Sequence, residues 1–313
     1  MPETLSHRNT MVKEWEKAPE NTVFCTSAEG LLFRLPRYSI DTFWFSPPYN
    51  LADRFRGGNS SQTKVKTQYD NAQSKTGDGT GLSEPIYQAQ QALVLALAGR
   101  ALKPGGVIFY SHKVRLKEGV SINPRRWLDA SGLHVIQEVI WARGNTANGD
   151  PRRFRPTYET IYVLSNRTAV KVGNIPEFRL NNPGKDSGGQ GYPDVWALNH
   201  KHLGQNRAVS GHPATAPLEI VRRCLEVAPN PKGLTCDPYC GTGTTGVAAR
   251  EMGGRYLLSD LSLSWATYAE NRLQERDDAV RGVPAARGDE DHRHRATSEH
   301  QSVQDSQQLR LVS

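Results

Sequence analysis

The sequence predicts an α/β domain built on a sheet with open strand ends. Short apolar runs of strand length alternate along the chain with longer segments of helical apolar spacing. Two of the runs also end in loops whose composition suits a ligand: Ser46-Pro47-Pro48-Tyr49 and Asp237-Pro238-Tyr239-Cys240-Gly241-Thr242-Gly243-Thr244-Thr245.

In chain order, residues 1–20 are polar and expected to be flexible. Residues 22–25 read as a short strand, 28–35 as a helix and 41–45 as a buried strand. Residues 53–83 are rich in Gly, Ser, Thr, Gln and Lys; an unpatterned loop this long within a domain usually serves a function. The spacing predicts a helix over 84–102, stopped by Lys103-Pro104-Gly105-Gly106, and then a strand over 107–110. A helix over 123–130 begins with Pro124 just inside its end. Strands over 133–141 and 158–164 pair in the antiparallel manner across an Arg-rich connection, 143–155. Residues 165–211 are polar, with many Asn, Gly, Lys and Pro. A helix over 215–228, with Pro217 in its first turn, precedes a strand over 234–237, a helix over 244–252, a strand over 256–259 and a helix over 263–273. From Glu275 the composition is too charged to bury a core. The expected organisation is a flexible N-terminus (1–20), one domain (21–275) with 165–211 inserted, and a disordered tail (276–313).

Composition narrows the class. At 313 residues and 37% apolar content, the chain supports one large domain or two small ones. No run reaches 18 apolar residues and Met1-Pro2-Glu3-Thr4 opens no apolar leader, so neither a membrane span nor a secretory signal is expected. Cys25, Cys224, Cys236 and Cys240 form no CxxC pair, and His200 and His202 have no further ligands near them in sequence, so no metal is expected and a reduced cytoplasmic protein is. A net charge of +7 favours a polyanionic partner, nucleic acid first.

The tetrapeptide Ser46-Pro47-Pro48-Tyr49 follows the apolar run 41–45. Consecutive prolines remove two backbone donors and hold the chain extended. What remains is a hydroxyl, carbonyl oxygens and an aromatic face, which together suit an amino group on a flat ring. The second loop joins a strand to a helix. Gly241 and Gly243 let backbone approach a ligand, and the helix N-terminus suits a carboxylate or phosphate. Asp260 ends the next strand, where an acid holds a ribose diol in nucleotide-binding α/β folds. The loop matches neither the P-loop nor the full GxGxxG fingerprint, and a plain tight turn also fits it.

Together the motifs resemble the beta group of S-adenosylmethionine-dependent DNA amino-methyltransferases. That family carries a Ser/Asp/Asn-Pro-Pro-Tyr motif and an Asp-Pro-Phe-x-Gly-Ser-Gly-Thr-Thr loop. His212-Pro213-Ala214-Thr215-Ala216-Pro217-Leu218-Glu219 is similar to its His-Pro-x-x-x-Pro segment, and Leu102-Lys103-Pro104-Gly105-Gly106 to a common pre-strand motif. The resemblance spans about residues 22–273 and implies a Rossmann-like class I methyltransferase fold: a mixed seven-stranded sheet, helices on both faces, catalytic half before cofactor half. It implies S-adenosylmethionine as cofactor, held by Asp237, Pro238, Tyr239, Gly241, Gly243, Thr244, Thr245, Asp260, His212 and Pro213. Where the family often places an acid against the adenine, this chain has Ser27.

The resemblance further implies that Ser46, Pro47, Pro48 and Tyr49 form the catalytic site. Ser46 Oγ and the Pro47 carbonyl accept hydrogens from an exocyclic amine of a base flipped out of double-stranded DNA, and Tyr49 stacks on its ring. Ser in the first position and His-Pro-Ala-x-x-Pro-Leu-Glu look like the cytosine-N4 type. Adenine-N6 transfer and a catalytically inactive DNA-binding regulatory module are the alternatives. Lys64, Lys66, Arg152, Arg153, Arg155, Lys201 and Arg207 are candidate phosphate contacts, with 165–211 in the place of a target-recognition segment. A cognate restriction endonuclease is a possible partner, and the implied location is the cytoplasm of a prokaryote, at the nucleoid, or a phage-encoded product acting there.

Overall fold

A computed structural model describes residues 13–50, 82–117, 119–143, 154, 156–170, 172, 193–198 and 215–280. Strand β1 (Thr22–Cys25) leads through α1 (Ala28–Arg34) to β2 (Ile40–Phe45). Helix α2 (Glu84–Ala101) runs straight into β3 (Leu102–His112). A hairpin of β4 (Arg115–Lys117) and β5 (Val120–Ile122) precedes α3 (Arg125–Ala130). Strands β6 (His134–Ala142), β7 (Tyr158–Ser165) and β8 (Val195–Ala197) follow. The chain then alternates α4 (Leu218–Glu226), β9 (Leu234–Asp237), α5 (Thr244–Glu251), β10 (Arg255–Asp260) and α6 (Leu263–Val280). By internal contacts the chain divides into units Met1–Leu273 and Gln274–Ser313, and everything described below belongs to the first.

The main sheet has the order β1-β10-β9-β2-β3-β7-β6-β8. From β1 to β3 neighbours are parallel, whereas β7 runs antiparallel to both β3 and β6. The seven expected strands are present. An eighth, β8, joins β6 in parallel inside the stretch where composition suggested only a loop. Trp196 accounts for it: the side chain is buried and its Nε1–H donates to Pro193 O at 2.7 Å. Strands of three residues, β8 and the β4–β5 pair alike, are too short to show a period.

Other boundaries shift for physical reasons. Pro217 lies outside α4, in extended conformation, and its carbonyl accepts from the amides of Ile220 and Val221. Pro124 likewise flanks α3 rather than opening it. The expected stop at 103–106 is part of β3: Ile40 pairs with Leu102 and Thr42 with Val107, so the intervening residues bulge from the ladder. Within the N-terminus expected to be flexible, Trp15 packs on Phe24 at 5.3 Å and its N–H donates to Arg34 O.

Alternation along the strands builds two cores. Phe43, Phe45, Ile108 and Tyr110 face α1, α2 and α3, against Leu31, Leu95, Ala98 and Trp127. Trp44, Val107 and Phe109 face α4, α5 and α6, against Val221, Val247 and Ala269. Every residue of β2 is therefore buried, as in a strand covered on both sides.

The most charged residue of that strand, Asp41, ties its neighbours together. Its carboxylate accepts from Lys103 Nζ on β3 (2.9 Å to each oxygen), from Asn230 Nδ2 (3.0 Å) and from the amide of Leu234 on β9 (2.9 Å). Gly233 leaves room for it, since a Cβ there would lie 2.5 Å from Asp41 Cβ. Burial acts to raise the carboxyl, and the bonds from Lys103, Leu234 and Asn230 outweigh it, holding the group below its ordinary value. A lowered acid contributes stability above its unfolded pKa of about 4 and loses it as pH falls through the folded value. Replacing Asp41 by Ala should cost about 2–4 kcal/mol in urea unfolding at pH 7, because the buried Leu234 amide loses a charged acceptor and Lys103 and Asn230 lose their link to the strand, and the difference from wild type should shrink in acid. A pH-independent difference would contradict this account.

Candidate active site

Four parallel strands deliver their carboxyl ends to one edge. Phe43 of β2 pairs with Cys236 of β9, Asp237 with Leu258 of β10, and Asp260 with Cys25 of β1. The segments that follow are the Ser46 tetrapeptide, the Asp237 loop, Asp260 and Ser27. They leave the sheet side by side at the place where open α/β sheets bind ligands. Tyr239 of the glycine loop reaches across to Phe45, with ring centroids 5.9 Å apart.

Asp237 shapes its loop from within. It is fully buried, accepting from Tyr239 N–H (2.9 Å) and from the Thr245 hydroxyl (2.5 Å). Burial pushes its carboxyl up to about 7. Pro238 O receives the Ser259 hydroxyl at 3.3 Å. Gly243 sits at φ 75°, where a Cβ would also lie 2.9 Å from Ala269 Cβ, so both the backbone and the packing of α6 require glycine. Val247 is the first amide bonded back to Gly243 O, so those of Thr244 and Thr245 lie at the open start of α5. Asp260 accepts from Gly241 N–H (3.0 Å) and Ser262 N–H (2.9 Å), remains half-buried, and is raised by burial. Ser27 caps α1, its Oγ accepting from Gly30 N–H at 3.0 Å.

Two hydrogen-bonded chains fix the tetrapeptide. In the first, Tyr87 donates to Pro48 O at 2.8 Å. The same hydroxyl lies 2.9 Å from His112 Nε2. His112 Nδ1 lies 2.8 Å from Lys113 O and 2.9 Å from Lys113 N, and burial pushes the imidazole well down, which keeps the ring neutral. Beneath Tyr87, the Arg115 guanidinium lies 4.7 Å from the ring centroid and forms a bidentate pair with Glu84 (2.8 and 2.6 Å).

In the second chain, the Tyr49 hydroxyl lies 3.3 Å from Glu159 Oε2 and 3.4 Å from Ser111 O, two groups that only accept. Glu159 is buried and paired with Arg143. Ser46 Oγ, 2.9 Å from Tyr49 Oη, is then the donor in that bond, and its lone pairs remain for a ligand. Burial, with the Glu159 charge beside it, pushes the Tyr49 phenol up. The Tyr49 ring packs on His112 at 4.4 Å.

The structure thus brings together Ser46, Pro47, Pro48, Tyr49, Asp237, Pro238, Tyr239, Gly241, Gly243, Thr244, Thr245, Asp260 and Ser27 at one sheet edge. Lys64, Lys66, Arg152, Arg153, Arg155, Lys201, Arg207, His212 and Pro213 lie outside the described residues. Phe154, between the arginines, is fully exposed. Sequence reasoning missed Tyr87, His112 and Glu159, and saw Arg143 only as the start of an Arg-rich connection.

The DNA methylase family profile matches residues 40–271. The chain belongs to the N6/N4 DNA methylase family. It is 26% identical over 289 residues to the type II methyltransferase M.Cfr9I of Citrobacter freundii, covering 85% of this chain and 91% of that protein. It is 21% identical to the type II methyltransferase M.BglII of Bacillus subtilis, covering 88% and 75%. Among solved structures, it superposes on the PvuII DNA methyltransferase (cytosine-N4-specific) with a TM-score of 0.55 at 16% identity, covering 82% of this chain and 91% of that one. The M1.HpyAVI–SAM complex gives 0.53 at 15% identity, covering 80% and 98%. The class I methyltransferase architecture is shared. The family acts on DNA with S-adenosylmethionine as cofactor. The residues present fit that molecule: Asp260 offers acceptors for a ribose diol and the start of α5 offers amides for a carboxylate. Among the described residues no helix is long and apolar enough to cross a membrane.

The buried Asp237 generates a pH prediction. An acid raised in the folded state adds stability below its unfolded pKa of about 4 and loses it as pH rises through the folded value. The stability of wild type relative to Asp237→Asn should therefore fall between pH 4 and about 7. Urea titrations of both proteins at several pH values check this, and parallel curves would contradict it.

Proposed function

We propose that the chain transfers a methyl group from S-adenosylmethionine to the exocyclic N4 of a cytosine flipped out of double-stranded DNA. The observation that carries this reading is the polarity of Ser46. With Tyr49 donating to Glu159, the Ser46 hydrogen goes to Tyr49, which leaves its lone pairs for a ligand beside prolines that offer no competing donor. An exocyclic amine is a weak nucleophile because its lone pair is delocalised into the ring. Ser46 Oγ and Pro47 O accept its two hydrogens and draw the nitrogen toward a tetrahedral shape. Tyr87 holds the Pro48 carbonyl, so the tetrapeptide is preorganised rather than shaped by the substrate. The half-buried Tyr49 ring is the surface on which the flipped base packs.

The cofactor supplies an activated methyl on a sulfonium. Asp260 holds its ribose, the start of α5 its carboxylate, and Tyr239 lines the site beside Phe45. Asp237 acts through the loop it staples rather than on the ligand, and Ser27 is a helix cap first. His212 and Pro213 complete the site in this reading. Cytosine is favoured by Ser46 at the first motif position, as in the cytosine-N4 type. The basic residues Lys64, Lys66, Arg152, Arg153, Arg155, Lys201 and Arg207 hold the DNA backbone, with exposed Phe154 among them. The likeness to type II methyltransferases supports a role beside a cognate restriction endonuclease, in the cytoplasm.

Ser46→Ala should lower methyl incorporation into unmodified DNA by about 10²–10³-fold, with S-adenosylmethionine affinity by calorimetry little changed. Asp260→Ala should instead weaken that affinity. Nucleoside mass spectrometry of the product should show N4-methylcytosine; N6-methyladenine alone would overturn the cytosine assignment.

A further inference from the structure

Glu159 is a carboxylate that no sequence motif marks, lodged beneath the tetrapeptide. It stands on β7, 8% exposed, where the antiparallel pairing of β7 with β3 and β6 carries it behind Tyr49. One oxygen faces the Tyr49 hydroxyl and the other is paired with Arg143. Ser46, Tyr49 and Glu159 form a continuous line of oxygens at 2.9 and 3.3 Å, with its inner end on a carboxylate and its outer end on the group that meets the amine. Burying a carboxylate and a guanidinium is costly, and an apolar pair would close the same space more cheaply. A line of this polarity does two things that an apolar filling would not: it orients the Ser46 lone pairs, and it gives a proton a route inward.

We propose that Glu159, held by Arg143, is the terminal proton acceptor of the reaction, working through Tyr49 and Ser46. This deepens the reading of Ser46 as the amine's acceptor and rests on it. In the transfer the amine nitrogen forms its bond to the methyl carbon as the carbon–sulfur bond breaks, with that electron pair going to sulfur. The nitrogen then carries one proton too many. That proton passes to Ser46 Oγ, the Ser46 proton passes to Tyr49 Oη, and the Tyr49 proton passes to Glu159 Oε2. Serine and tyrosine end neutral, as they began. Glu159 ends as a neutral carboxylic acid beside Arg143 and later returns the proton to solvent. Glu159 does not touch the substrate; it is a positioning residue that also stores the proton. Arg143 holds the carboxylate in place, and so keeps the Tyr49 hydrogen pointing inward.

The test compares Glu159→Gln, Glu159→Asp, Tyr49→Phe and Ser46→Ala in single-turnover tritium transfer from S-adenosylmethionine to unmodified genomic DNA, across pH. Calorimetry of S-adenosylmethionine binding and anisotropy of duplex binding accompany each variant. Glu159→Gln should slow transfer by about 10²-fold with both affinities retained, and the acid-side decline of the wild-type rate should vanish. Tyr49→Phe should lose the same limb, and Glu159→Asp should restore it in part. A Glu159→Gln enzyme that is slower at every pH with the limb intact has lost only packing, and the proposal fails. If Ser46→Ala is inactive while Glu159→Gln behaves as wild type, the relay alone falls. If Ser46→Ala retains full activity, the reading of the site falls with it. Should Glu159→Gln not fold, Tyr49→Phe decides by the same limb.

Discussion

The structure depends on the pairing of β2 with β9. These strands are far apart in the chain and adjacent in the sheet, with Thr42 opposite Thr235 and Phe43 opposite Cys236. Asp41 enforces the pairing at the amino end by accepting from β3 and β9 at once. Because the register is fixed there, the opposite ends of the two strands emerge level. The Ser46 tetrapeptide and the Asp237 loop then share one edge although nearly two hundred residues separate them. Catalytic half before cofactor half is an arrangement of the chain; in the sheet the two halves interlock through one strand pair.

A second constraint acts on hydrogens rather than strands. Each relay around the tetrapeptide ends on a group that can only accept: Pro48 O in one, Glu159 in the other. Prolines remove the backbone donors that would compete. The outcome is a neutral His112, a Tyr49 that donates inward and a Ser46 that donates to Tyr49. Burial strengthens this arrangement, since it raises the phenols of Tyr49 and Tyr87 and lowers the imidazole of His112, so none of them ionises at neutral pH.

Much of this was legible in the sequence because it is local. The strands of the parallel half read as short runs rich in apolar residues without alternation, as burial on both faces favours in β2 and β9. The tetrapeptide and the glycine loop are contiguous motifs, each visible within ten residues. Glu159 lies 110 positions from Tyr49, and only sheet pairing brings them together, so it reads in sequence as the polar edge of an apolar strand. Tyr87 and His112 were hidden for the same reason, inside a helical period and a strand. Asp41 read as the boundary of a run, whereas it is a buried cross-link. Ser27 reads two ways: a serine at a strand end suits a ligand contact, and the same serine is a good helix cap, its oxygen accepting from Gly30 N–H.

The proposed reaction requires one sheet edge to present Ser46 to the target amine and the Asp237 loop to the methyl donor. A crystal structure with S-adenosylhomocysteine and a duplex carrying the modified sequence tests it most directly. The account predicts an extruded cytosine with its amine about 3 Å from Ser46 Oγ and the thioether sulfur on the far side of that nitrogen, over the β9 end. A base seated away from Ser46, or a cofactor lying elsewhere than the β9 and β10 ends, would contradict it.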